Sequence, residues 1–248
     1  MHATTRTARI NATTAVHHHC LDVDQVTPNR TRLLVATAAG VGIALLLYFP
    51  DRQDGSGAVV GGLSGLIGAA LGWAAVVKYR PLPERSPSEH IQVAAASLCM
   101  GVGLGTANLL VNYGMAVWRP VIYEQMVSRW ALFSPGSVVI SGPIIEEIAY
   151  RLVLLSALAW VVARFTDDRR TIFYFALGVS SSLFGLAHVF YGGVNDPVYV
   201  VGMAVKSSAA GLLLGWVFWR RGLPYSILCH AAANATHLLL MPALFELE

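Results

Sequence analysis

Seven stretches of this chain are apolar enough to lie in lipid: Leu33–Phe49, Ala58–Val77, Ile91–Val117, Val138–Val162, Ile172–Tyr191, Val198–Trp219 and Tyr225–Leu244. At 1.5 Å per residue most of them can cross a hydrocarbon core of about 30 Å, the first with the least margin, and the third is long enough to tilt or break. A segment in lipid must satisfy its own peptide groups, so the expected fold is all-α, a polytopic bundle of about seven spans. Composition agrees: of 248 residues, 55% are hydrophobic and only 12% charged, half the share usual in a soluble domain. A net charge of +3, with no basic patch interleaved by aromatics, argues against a nucleic-acid partner.

Residues 1–31 read as a polar tail, and residues 32–248 as a single membrane domain. His17, His18, His19 and Cys20 could form a metal tract, although a disordered tail explains the composition as well. No short apolar core with a small-residue cleavage site marks a signal peptide in the first 30 residues. The three cysteines, Cys20, Cys99 and Cys229, are too scattered for a disulfide or CxxC framework. Alternate loops carry the basic residues: Arg6, Arg9, Arg30 and Arg32; then Lys78, Arg80 and Arg85; then Arg164, Arg169 and Arg170; then Arg220 and Arg221. The opposite loops hold only Arg52, Arg119 and Arg129. The positive-inside rule therefore places the N-terminus in the cytoplasm, in a multi-pass protein of the cell membrane. Glycines at small-xxx-small spacing (Gly61, Gly65, Gly68 and Gly72; Gly101 and Gly105; Gly211 and Gly215) predict close helix contacts. Residues 118–137 suit an interfacial helix or loop.

The fourth segment carries Glu146, Glu147 and Arg151 within an otherwise apolar run. Ionisable groups at such depth cost roughly 2.5–3.5 kcal/mol each, and they mark function by default. On a helix Glu147 and Arg151 share a face in the favoured acid-first order. Glu146 lies about 100° away, which leaves it to face a cavity as a general base while Arg151 neutralises Glu147. The fifth segment adds Phe184 and His188. The seventh adds His230, Asn234 and His237 on one stripe, with small Ala231–Ala233 beside them. A purely architectural ion cluster and polar interhelical glue are the competing explanations, and Asn108 and Asn112 in the third segment fit the second of these. Lys206 lies in mid-span of the sixth segment, where it could line a substrate path, pair with an acid or face the bundle interior. The run Gly62-Leu-Ser64-Gly65 looks like a serine-protease GxSG, yet it sits within a glycine stripe that packing already explains.

Glu146-Glu147-xxx-Arg151, Phe184-xxx-His188 and His230-xxx-Asn234, in order on separate segments, resemble the EExxxR, FxxxH and HxxxN motifs of the CPBP intramembrane proteases. That family includes type II CAAX prenyl endopeptidases and Abi-type proteins, and the resemblance covers about residues 138–240. It implies a membrane endopeptidase acting on a peptide or protein substrate, for which a mechanism without a cofactor is preferred over a metal-dependent one. Glu146 and His188 would activate water, His230 and Asn234 would donate to the oxyanion, and Glu147 with Arg151 would orient the site. Phe184, Lys206 and His237 are candidates for the substrate path. A zinc-dependent version would use Glu146, His188 and His230 as ligands, although no HExxH spacing demands a metal. A non-catalytic immunity or scaffold protein and an ion-relay transporter are the alternatives from other classes. One conflict is built in. Glu146 and His188 each lie 18 residues, about 27 Å, from their cytoplasmic arginines, whereas His230 lies nine residues, about 14 Å, from Arg221. The seventh helix must be displaced or tilted, or the stretch with Gly222 and Pro224 must dip into the membrane.

Overall fold

The computed structural model describes residues 85–130, 134–192 and 196–245. Within them the structure is helical and contains no strand. We number the helices α1 (Pro87–Trp118), α2 (Pro120–Trp130), α3 (Gly142–Glu147), α4 (Ser156–Val162), α5 (Arg169–Gly192), α6 (Pro197–Arg221) and α7 (Leu223–Phe245). Four of them, α1, α5, α6 and α7, are long and apolar enough to cross a membrane, and the chain is an integral membrane protein. The first two apolar segments, the polar tail with its histidines, and the Gly61–Gly72 stripe lie outside the described residues.

Helix α1 is unbroken over 32 residues. Its start is written in the sequence: the Ser86 hydroxyl accepts from the Glu89 amide, the Glu89 carboxylate takes the Ser86 amide, and Pro87 occupies the first turn, where its missing N–H costs nothing. Residues 118–137, expected at the interface, contain α2. Its Ile122 and Met126 pack with Met115 and Tyr199 over the ends of α1 and α6.

Two glycine pairs set the helix crossings. Helix α1 packs most extensively on α7, and a Cβ at Gly105 would strike the Ala233 carbonyl and come within 2.8 Å of Thr236 Cβ. Gly101 meets Cys229 and Ala232 in the same way. Helices α5 and α6 touch at Gly211, where a Cβ would lie 3.0 Å from Ser181, and at Gly215 against Leu177. These are the close contacts expected from the spacing. Gly105→Val is expected to force α1 and α7 apart. Overpacking of this kind typically costs about 1–3 kcal/mol, and the unfolding midpoint of the purified protein in detergent should fall accordingly.

The fourth apolar segment is not a uniform α-helix. It winds as π-helix over Ser137–Ser141, as α3, as π-helix again over Ile148–Leu155, and then as α4. Carbonyls in this irregular run receive side-chain donors. Ser180 of α5 donates to the Tyr150 carbonyl at 2.8 Å, Ser156 to that of Arg151 at 3.2 Å, and Asn234 of α7 to that of Val138 at 2.9 Å. Such donors are what make irregular winding tolerable at membrane depth.

The seventh segment is set off from the sixth at the α6–α7 turn. Gly222, at φ 104°, ends α6 and lets α7 begin at the next residue, after which α7 diverges from α6 and runs mainly against α1. Arg85 donates to the carbonyls of Arg220 and Arg221 at 3.4 and 3.1 Å, and so caps the end of α6. Arg221 turns its guanidinium inward to the Ser97 hydroxyl at 3.1 Å, and Ser97 is fully buried.

At the other end Arg119 pairs with Asp196 at 2.6 Å, and Asp196 also accepts from the Val198 amide to cap α6. The Arg119 hydrogen bond, foremost, holds the Asp196 carboxyl below its ordinary value. A depressed acid stabilises the fold above its unfolded value, about 3.9, and that contribution fades as pH falls through the lower folded value. Arg119→Gln should thus lower the unfolding midpoint at neutral pH. Its difference from wild type should shrink progressively below about pH 4, as followed in a pH series of thermal melts.

Candidate active site

The ionisable residues of three segments meet where α3 passes into the second π stretch. Glu147 is fully buried and Arg151 is 1% exposed, with Arg151 Nε 3.3 Å from Glu147 Oε2. The guanidinium lies 4.2 Å from the centre of the Phe184 ring, a cation–π contact that offsets part of its desolvation. Its Nη1 and Nη2 have no hydrogen-bond partner among the described residues. Glu147 Oε1 receives His230 Nδ1 at 2.9 Å, and Oε2 also receives the hydroxyl of buried Ser226. The buried acid is thus held by a cation on its own segment and two hydrogen-bond donors on α7.

Glu146 points elsewhere. Its side chain is 33% exposed, and Oε2 lies 3.6 Å from His188 Nε2 and 3.7 Å from His230 Nε2. These separations exceed a direct hydrogen bond and are of the size that a water molecule bridges. Oε2 is itself buried with no hydrogen-bond partner among the described residues. His188 Nδ1 lies 2.8 Å from the Phe184 carbonyl. A carbonyl only accepts, so Nδ1 carries the proton and Nε2 of the neutral ring presents a lone pair toward Glu146. Phe184, 2% exposed, packs against His188, Tyr150 and His230 and forms the aromatic floor of the cluster.

The structure therefore brings together Glu146, Glu147, Arg151, Phe184, His188 and His230. Asn234, one turn beyond His230, spends one amide N–H on the Val138 carbonyl and so joins α7 to the first π turn. Lys206 donates to Asn112 at 2.8 Å, tying α6 to α1 through the polar glue expected of Asn112. It lies within electrostatic reach of His188 and of buried His237. Sequence reasoning missed Ser226. Its signal was the i, i+4, i+8 stripe Ser226–His230–Asn234, of which only the last two members carry distinctive chemistry.

As a metal site, Glu146, His188 and His230 have suitable donor chemistry, with each Nδ1 anchored outward in the manner of ligating imidazoles. Zinc bonds of about 2.0–2.1 Å would set ligand atoms roughly 3.4 Å apart, slightly less than the observed spacings. Among the described residues no group of three or more His, Cys, Asp or Glu is arranged to hold a metal.

No match was found among curated proteins or among solved structures. Residues 127–236, which hold every one of these groups except His237 and Asn112, match the family model of type II CAAX prenyl endopeptidase Rce1-like proteins.

Proposed function

We propose that the protein is an intramembrane endopeptidase in which Glu146 and His188 activate a water molecule for attack on a peptide bond. The observation that carries this reading is the gap bounded by Glu146 Oε2 and His188 Nε2, 3.6 Å apart. Both atoms are acceptors, so a water between them donates both protons and turns a lone pair outward. Glu146 then takes the proton as attack proceeds, the usual role of a positioned carboxylate. His230 and Asn234 supply the oxyanion donors. For His230 this requires a proton on Nε2 in addition to the one committed to Glu147, hence the imidazolium, beside the two carboxylates. Asn234 contributes its second amide N–H. Such donors are worth about 3–4 kcal/mol each in the transition state. Glu147 and Arg151 hold His230 in place. On this reading Lys206 and His237 lie along the route of the peptide, and the N-terminus faces the cytoplasm.

A zinc ion, if the protein uses one, would be held by Glu146, His188 and His230 and would supply Lewis-acid activation of the water. The metal-free mechanism is preferred because the protonation pattern already orients a water. The deciding experiment is cleavage of a peptide library by purified protein with and without chelator. Activity that survives chelation supports the glutamate mechanism, and loss restored by zinc replaces it with the metal version. No cleavage under any condition, combined with complementation of a deletion strain by Glu146→Gln, would favour a scaffold or immunity role instead.

A further inference from the structure

We infer that Ser226 is a positioning residue of this site, acting through Glu147 on His230; the inference rests on the peptidase reading for its effect on rate, but not for its structural content. Ser226 is fully buried and stands one turn before His230 on α7, so both side chains face Glu147. Its hydroxyl contacts Glu147 Oε2 and lies 3.0 Å from the Leu214 carbonyl. Those two groups only accept, and donation to the charged carboxylate is the stronger bond.

The need for this donor follows from Arg151. Its Nε reaches Oε2 from 3.3 Å, while Nη1 and Nη2 are buried donors with no hydrogen-bond partner among the described residues. A guanidinium pairs best with a carboxylate through two parallel hydrogen bonds. Left to itself, the Glu147 carboxylate would rotate to pair with the fork of Arg151 and take Oε1 away from His230 Nδ1. Ser226 holds Oε2 from the α7 side and blocks that rotation. The imperfect Glu147–Arg151 pair is thus the geometry that lets Glu147 serve two helices at once.

Removal of the hydroxyl should therefore loosen His230 without loosening the fold, because the carboxylate exchanges one partner for a better-paired one. In Ser226→Ala the kcat for peptide cleavage is expected to fall about 10–100-fold, the usual cost of losing an outer-shell orienting partner. KM should stay within about twofold, as expected for an interaction felt chiefly in the transition state. The unfolding midpoint should not fall, and Ser226→Thr, which keeps the donor, should recover most of the rate. A second readout does not depend on activity. In protein labelled with ¹⁵N-histidine, the Nδ1–H resonance of His230, assigned by its disappearance in His230→Gln, should be present in wild type and in Ser226→Thr and lost in Ser226→Ala. If wild type cleaves nothing but the resonance follows this pattern, the peptidase reading fails and the tether stands. The inference is overturned if Ser226→Ala keeps the resonance, or if its rate falls only together with its unfolding midpoint.

Discussion

Glu146→Gln is expected to lower kcat for peptide cleavage by about 10²–10⁴-fold, the contribution of a positioned general base, while leaving the unfolding midpoint unchanged. The reason lies in how little the fold asks of this side chain. Glu146 Oε2 has no hydrogen-bond partner among the described residues, and its imidazole neighbours stand 3.6 and 3.7 Å away. A glutamine of the same size breaks no structural bond, yet it has no oxygen basic enough to take a proton from water. Steady-state kinetics together with a thermal melt of the same preparation check both halves. Full activity in the variant would sink the proposal.

Arg151→Met should have the opposite profile, a large loss of stability. Glu147 is fully buried, and its one full-time cation is Arg151. Breaking a buried pair by removing one partner typically costs about 3–5 kcal/mol, because the remaining charge is uncompensated. Equilibrium unfolding in detergent should show that loss. The double variant Glu147→Gln/Arg151→Met should recover a large part of it, since no lone charge then remains. Additive losses in the two single variants and the double would show that the pair is not coupled.

Much of this architecture could be read from the chain, because at membrane depth the sequence has few choices. Apolar runs must be helices, and glycines at four-residue spacing mark crossings, as Gly101 and Gly105 do against α7. Charges inside such runs must find one another, as Glu147 and Arg151 do. The winding of the fourth segment was not legible. When nearly every position is apolar, periodicity carries no phase, and the π turns are set by donors on other helices, Ser180 and Asn234. Ser226 escaped notice because a serine in a helix of small residues looks like packing, and only the facing carboxylate reveals its use.

The dependence of Glu147 on α7 also has a consequence for how the protein is made. Arg151, the partner on its own segment, is synthesised with it, but Ser226 and His230 emerge some 80 residues later, and the donor to Val138 later still. Until α7 is in place, the carboxylates stand in a chain without the histidine and amide proposed to complete the site. Under the peptidase reading, hydrolytic competence would therefore be acquired only once α7 has packed against the fourth segment, and not while that segment is being inserted.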